Sequence, residues 1–403
     1  MFFVILFSIP LLAILWSVWA HLTLRHFRRA RLWQALTLTF TLLMLAGYVW
    51  IIGRRADLWS LRPPLIWVTP AYIWTMVAFP GSLMLATPLV LADRLLQLWR
   101  RLRRNPPPTS PTHPTLPTPA APLSPTRRAF LGTLVAAPAA STILGSVKAA
   151  ADMDSFRVRR FDIPFPNLPK DLDGVTIAHL ADIHVGYFSS EKLLLRVSDV
   201  TNSLRPDIVL GTGDLIDHAV ADAPAGAAAL NRTSAPYGVY QCEGNHDLFE
   251  SREGFAAAMK AAGIPLLQNH SRVITIRGVP VELLGLCWGI GDQPDSGAEL
   301  SYNASRLFGG QRPAPFSILL AHHPHAFDYA RDAGIDLTLA GHTHGGQINP
   351  LPGVSPVGLF YKYLSGLYSI GRHRAVVSNG IGNWFPLRLN APAEILHLTL
   401  RRA

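Results

Sequence analysis

Seven residues able to ligate metal ions recur in five clusters along the second half of a 403-residue chain. They are Asp182 and His184 in Asp182-Ile183-His184, Asp214 after Gly213, Asn245 in Gly244-Asn245-His246-Asp247, His322, and His342 and His344 in Gly341-His342-Thr343-His344. Carboxylate, imidazole and amide donors in one set suit two divalent cations of intermediate softness, such as manganese, iron or zinc. Two such ions a few Å apart clamp an in-line displacement at phosphorus. Singly the motifs are weak, because Asp-x-His arises by chance in many proteins. Gly-Asn-His-Asp says more, since glycine permits a tight turn and three polar residues follow it. Gly341-His342-Thr343-His344-Gly345-Gly346 says most. Alternate histidines on an extended loop would point the same way, and the flanking glycines would let backbone approach the ions. Together, in order, the five clusters imply phosphoester hydrolysis.

Each cluster follows an apolar, β-rich run, so the ligands sit on loops at the ends of core strands, where a rigid scaffold can converge them. The pattern predicts strands at Val175–Leu180, Asp207–Leu210, Gly238–Glu243, Arg272–Ile276, Val281–Cys287, Phe316–Ala321, Ile335–Ala340, Arg374–Ser378 and Glu394–Leu400. Helical spacing covers Glu191–Leu204, stopping before Pro206, with further helices near Arg252–Ala262, Glu299–Phe308 and Pro324–Ala333. This is an α/β domain of sheets packed face to face with helices outside.

Only 15% of residues are charged, and they are unevenly spread. Residues 1–150 hold 15 Lys+Arg against 2 Asp+Glu, whereas residues 151–403 hold 21 against 24. The basic balance belongs to arginines flanking apolar stretches, which speaks of membrane topology. The mildly acidic C-terminal part lacks the basic stripe that a nucleic acid backbone demands, so no nucleic acid partner is expected. The cysteines, Cys242 and Cys287, lie in apolar strand-like runs and read as buried reduced thiols.

Residues 1–104 read as a transmembrane region of about three spans: 1–24, 34–53 and roughly Tyr72–Trp99, the last interrupted by Pro80-Gly81 and Pro88. With the N-terminus outside, the clusters Arg25–Arg31 and Arg100–Arg104 both face the cytoplasm. Residues 105–126 hold nine prolines and form an extended spacer, reaching roughly 60–70 Å if fully stretched. The stretch 127–151 begins with Arg127-Arg128-Ala129-Phe130-Leu131-Gly132 and ends in small residues. It resembles a twin-arginine export signal placed internally, or else an anchoring helix. The export reading puts residues 152–403, the catalytic domain, outside a bacterial cytoplasmic membrane and implies the twin-arginine machinery as a partner.

From Val175 to Leu400 the sequence resembles the calcineurin-like metallophosphoesterase superfamily, closest to its membrane-associated bacterial branch. The blocks that carry this are those above, together with Gly345-Gly346-Gln347 and Asn379-Gly380-Ile381-Gly382. The resemblance implies a β-sandwich flanked by helices with a dinuclear site at one edge. It assigns Asp182, His184, Asp214 and His344 to one metal and Asp214, Asn245, His322 and His342 to the other, with Asp214 bridging. His323 is an alternative to His322, though the family pattern favours His322. A hydroxide bridging the metals is the implied nucleophile. His246 is the implied general acid, and Asp247 is expected to orient it through the other ring nitrogen. Asp217 reads as a turn residue or a supporting partner. Arg388 reads as a surface ion pair or a substrate-phosphate contact. The aromatic, Leu-rich stretch Leu351–Tyr368 reads as packing under a loop, or as an apolar lip for acyl chains. With membrane tethering, the lip suggests a lipid-linked or cell-envelope phosphodiester. The rivals are a non-catalytic metal-binding membrane adaptor and an extracytoplasmic nuclease or nucleotide phosphoesterase.

Overall fold

Long apolar stretches with few charges leave the N-terminal backbone one economical choice, to satisfy its hydrogen bonds within helices. In the computed structural model, which describes residues 2–55, 58, 62–103, 124–288, 297–309 and 313–403, they do so. The helices are α1 (Phe2–Leu24), α2 (Ala30–Arg55), α3 (Leu65–Ile73), α4 (Phe79–Leu102) and α5 (Pro125–Asp152). A π-helical turn, Trp74–Ala78, joins α3 to α4. It sits just before Pro80, whose missing N–H and bulky ring would disrupt a regular α-turn there. The third apolar region is thus one helical column that continues through both prolines. Among the described residues three helices, Ala30–Arg54, Leu65–Trp99 and Pro125–Asp152, are long and apolar enough to cross a membrane by length and composition. Trp16, Met44, Trp74, Phe79 and Leu134 pack inside this unit, while Leu43, Met84, Leu91 and Leu144 are exposed on it. Arg127, the first of the arginine pair, makes a 2.8 Å ion pair with Asp93 of α4. Most of the Pro-rich spacer, through residue 123, lies outside the described residues.

Residues Ala151–Ala403 form the second unit. Its strands are β1 (Arg157–Phe165), β2 (Thr176–Leu180), β3 (Ile208–Thr212), β4 (Val239–Cys242), β5 (His270–Ile276), β6 (Val279–Leu286), β7 (Phe316–Ala321), β8 (Leu337–Ala340), β9 (Gly366–Ile370), β10 (His373–Val377) and β11 (Glu394–Arg402). They build one sheet in the order β1-β11-β2-β3-β4 and another in the order β5-β6-β7-β8-β10-β9. Ile177, Leu210, Leu283, Ile318, Leu339 and Leu398 fill the core that both sheets share. On the outer face of the first sheet, Ala178 and Val209 pack with Leu193 and Val197 of α6 (Glu191–Ser203), Ala227 of α7 (Ala223–Asn231) and Phe255 of α8 (Arg252–Ala261). On the outer face of the second, Leu284 and Leu319 pack with Leu300 of α9 (Gly297–Leu307) and Ala330 of α10 (Ala326–Asp332). The result is a β-sandwich flanked by helices.

Parallel pairing decides where function can sit. β2, β3 and β4 run parallel, as do β6, β7, β8 and β10. Every residue of β3, β7 and β8 is buried, the continuous apolar reading expected of internal parallel strands. Their C-terminal ends open on one edge, where loops are free to carry polar residues. Ser190 and Ser251 cap α6 and α8 by accepting from Leu193 N–H and Gly254 N–H, both at 3.0 Å.

Three elements escape the sequence pattern. β1 carries Arg157, Arg159, Arg160 and Asp162; it is an edge strand paired only to β11, and edges tolerate charge. The short α7 is mostly Ala, Gly and Pro before Leu230 and Asn231, without marked helical amphipathicity. β9 hides in the aromatic stretch after the last histidines.

Candidate metal centre

Five strand ends deliver the candidate ligands. Asp182 and His184 follow β2, Asp214 follows β3, Asn245 follows β4, His322 follows β7, and His342 and His344 follow β8. Tight backbone bonds stitch these loops together: Asp182 N–H to Gly213 O at 3.1 Å, His184 N–H to Asp214 O at 3.0 Å and Gly382 N–H to Asp182 O at 2.7 Å. The stitching is strained. Asp182, His184, Asp214, His342 and His344 all have φ between 47° and 72°, a left-handed conformation that costs about 1–3 kcal/mol for a side chain of this kind. Gly213 (φ 86°) could not be replaced cheaply, because a Cβ there would lie 2.8 Å from the Glu243 carbonyl carbon. At Gly380 (φ 74°) a Cβ would lie 2.6 Å from that of Asp182.

Among the described residues the donor atoms converge in three groups; two hold the expected ligands, Asp182 with His184 and His344, and Asp214 with His322 and His342, while the third joins His184 to Asp217 and His246. In the first, His344 Nε2 lies 3.3 Å from Asp182 Oδ1 and 3.0 Å from His184 Nε2. In the second, His322 Nε2 lies 3.0 Å from Asp214 Oδ2, and His342 Nδ1 lies 3.1 Å from Asn245 Oδ1. Asp214 Oδ2 is also 3.6 Å from His184 Nε2, so this carboxylate stands between the groups. His342 and His344 do not lie on an extended loop; the chain turns tightly through Gly341–Gly346, and the two rings serve different groups. His323 stacks on the His342 ring at 5.5 Å and is in none of these groups.

The supporting contacts correct two sequence expectations. Asp247 does not orient His246; its carboxylate accepts from Ile216 N–H at 3.1 Å and Gly244 N–H at 2.9 Å. The short 3-10 turn His246–Leu248 points the neighbouring side chains apart. Asp217 takes the role instead. Its backbone carbonyl accepts from His246 Nδ1 at 2.7 Å, and its Oδ1 is 3.3 Å from the same nitrogen and 3.6 Å from His184 Nδ1. Arg388 is neither a surface ion pair nor an open phosphate contact. It is buried, with Nη2 2.8 Å from His344 Nδ1 and also donating to the Gly382 carbonyl, while Nε donates to Asn383 Oδ1 and Nη1 to the carbonyls of Asn379 and Ala391.

Sequence reasoning also missed two aromatic supports. The Trp288 ring lies tilted against His342 at 4.5 Å and meets His322 edge-on at 5.3 Å, and its backbone N–H donates to buried Glu243 Oε1 at 3.3 Å. Tyr361 Oη is 2.8 Å from His342 Nε2. No local motif announces either one.

The donor set fits divalent cations. Burial, reinforced by nearby Asp214, pushes Asp182 up to about 7, so a compensating positive charge is what keeps both carboxylates ionised. Burial opposes charge on Asp214 too, but His322 and His246 hold it well below the usual carboxylate range. Burial opposes a charged ring at His322, yet the Asp214 carboxylate raises it to about 9. Burial lowers His184, His342 and His344, leaving neutral rings with lone pairs to offer. His184 Nδ1 and His322 Nε2 are buried without a hydrogen-bond partner; the close approach of His322 to Asp214 is off the bonding direction.

Comparison with known proteins agrees with this geometry. A family model described as calcineurin-like phosphoesterase matches residues 175–346. A transmembrane protein with metallophosphoesterase domain from Danio rerio is 33% identical, over 60% of this chain and 56% of its own length. The metallophosphoesterase YkuE of Bacillus subtilis is 32% identical, over 58% of this chain and 82% of its own. The phosphodiesterase YaeI of Escherichia coli is 31% identical, over 56% and 81%. The match thus spans little more than half of the Danio rerio protein but most of the two bacterial ones. Shared sequence over the sandwich and its strand-end loops makes this chain a member of the calcineurin-like metallophosphoesterase family.

Proposed function

We propose that the protein is a membrane-anchored phosphohydrolase working with two divalent cations on phosphoesters, chiefly diesters, of lipid or cell-envelope origin. The observation that carries this is the convergence of seven donor residues from two sheets beside an imidazole, His246, whose Nδ1 is pinned by the Asp217 carbonyl. Asp182, His184, Asp214 and His344 would hold one cation and Asp214, Asn245, His322 and His342 the other, and when bound the pair would polarise phosphoryl oxygens and acidify an attacking water.

The chain's own residues account for the rest. Asp214, flanked by His184 and His322, is the carboxylate suited to being shared. Asn245 and the neutral imidazoles add no negative charge, so an anionic ester is not repelled. His246 is fixed through Nδ1, leaving its other ring nitrogen for a leaving-group oxygen. Burial works against its charged form, but Asp214 and Asp217 raise its pKa, favouring the protonated state a general acid needs. An adaptor that only binds metal has no use for this arrangement, which favours catalysis.

For the membrane unit we infer cytoplasmic Arg25–Arg31 and Arg100–Arg104 clusters and an extracytoplasmic catalytic unit. α5 then starts inside and ends outside, the direction a twin-arginine signal requires. The Arg127–Asp93 pair supports α5 as a permanent anchor. Metal analysis of the purified full chain, with a panel of mono-, di- and acylated phosphoesters and Asp214→Asn as control, tests the proposal. We expect two cations per chain and preferential hydrolysis of acylated diesters. Full activity in Asp214→Asn, or a chain that retains no metal, overturns it.

A further inference from the structure

From Gly345 to Tyr361 the chain runs through seventeen residues without a charged side chain. The outer part of this run is a small loop closed by a Leu351–Val354 bridge and a 3-10 turn at Pro356–Leu359. Leu351, Val354, Leu359 and Phe360 are 62%, 56%, 85% and 78% exposed. Among the described residues of the catalytic unit these are the most exposed large apolar side chains, and they all fall on one loop. The next residue, Tyr361, contacts His342 Nε2, so the patch ends on a candidate ligand. Near the acid, Phe249 is also exposed, with its ring 4.5 Å from that of His246.

A contiguous apolar patch of this kind marks a surface meant to be covered. Protein-protein interfaces surround such a patch with a polar, hydrogen-bonding rim, and this loop offers none of the charges that would build one. The same chain carries helices long and apolar enough to cross a bilayer. A tether of that kind holds the domain near lipid at high effective concentration. We propose that Leu351–Phe360 is a membrane-docking loop. It seats Leu359 and Phe360 at the boundary between lipid headgroups and acyl chains, and thereby brings His342 and His246 to headgroup level. This deepens the proposed function by naming the bilayer as a partner of the site. It rests on the membrane-anchoring part of that reading and not on hydrolysis.

The test uses the full chain in vesicles of phosphatidylethanolamine and phosphatidylglycerol. An environment-sensitive fluorophore is attached at Phe360→Cys, the native Cys242 and Cys287 being buried, with Val273→Cys on an edge strand, 47% exposed, as the aqueous reference. We expect blue-shifted emission at 360, about threefold or greater protection from iodide relative to 273, and quenching by a nitroxide placed shallowly on the acyl chain, as interfacial seating requires. Equal iodide quenching at both positions overturns the proposal. Protection that vanishes on dilution to one chain per vesicle belongs to a second copy and also overturns it. With Leu351→Cys as the probe, adding Leu359→Asp and Phe360→Asp should abolish most of the protection while metal content stays unchanged; undiminished protection overturns it. A chain that resists alkaline extraction, hydrolyses nothing and still shows the protection fails the hydrolase reading and supports this one. A chain extracted by alkali removes both the anchor and the docking loop.

Discussion

His342 and His344 are two residues apart, yet the fold holds them by contrasting means. His344 is 2% exposed. Its Nδ1 faces the Arg388 guanidinium, which can only donate, so that nitrogen is fixed as an acceptor. A neutral ring then carries its proton on Nε2 toward Asp182 Oδ1, 3.3 Å away, where a cation taken up would replace it. His342 is only part-buried, and its Nε2 meets the Tyr361 hydroxyl, which can donate or accept. Its other face rests on Trp288 and His323. One limb of the centre is therefore locked by buried charge from the C-terminal loop. The other is held by a phenol at the end of an exposed apolar loop, and is the limb able to adjust to what approaches.

The largest effect should come where the limbs meet. Asp214 lies between them and also accepts from His246 N–H at 2.8 Å. Asp214→Asn should lose both cations and reduce hydrolysis to background, read by metal analysis and turnover together. Retention of one cation at full occupancy would show that the limbs do not share this carboxylate, and would break the comparison at its centre.

His246→Ala comes next. The side chain belongs to a third group with His184 and Asp217, but its Nδ1 is taken by the Asp217 carbonyl, so cation content should stay intact while turnover falls by about 10²–10⁴-fold, the usual worth of a general acid. Stoichiometric metal loss would instead make His246 a ligand. Asp217→Asn should lower turnover less, because the backbone carbonyl that holds Nδ1 remains.

The candidate ligands were legible in the sequence because each follows an apolar run that reads as a strand, internal for β2, β3, β7 and β8 and at the sheet edge for β4, and the C-terminal ends of parallel strands converge without further instruction. The partner of His246 was not legible. Asp247 is its neighbour in sequence, but a tight turn sends the adjacent side chain to the Gly244 and Ile216 amides, and Asp217 arrives from another strand end. Arg388 was equally hidden: it reaches His344 from forty-four positions away, and nothing local marks an arginine that will be buried among carbonyls. Strand β1 was lost to its own charges, which an edge position permits.

Arg388→Met probes the locked limb. Removing a partner that orients a ligating histidine typically costs about 10–100-fold in metal affinity, and here the loss should fall on the cation bound by His344, with the His342 side retained. The carbonyls of Asn379, Gly382 and Ala391 lose their donor as well, so thermal stability should drop by about 1–3 kcal/mol. Arg388→Lys should restore some stability but less of the affinity, because an ammonium cannot reproduce the guanidinium fork. Equal loss of both cations would mean that Arg388 supports the whole edge and not one limb.

Tyr361→Phe probes the adjustable limb and should have the smallest effect. It removes one hydroxyl while keeping the ring beside His323 and His342. The lost hydrogen bond is worth about 0.5–1.5 kcal/mol, a few-fold weakening of the cation bound by His342. Trp288 and Asn245 still hold that ring from its other sides, so the loss should stop there. Competitive metal titration separates the outcomes. If Tyr361→Phe weakens one cation as much as Arg388→Met weakens the other, the two limbs are equally rigid. The contrast between a locked and an adjustable histidine would then have no energetic content.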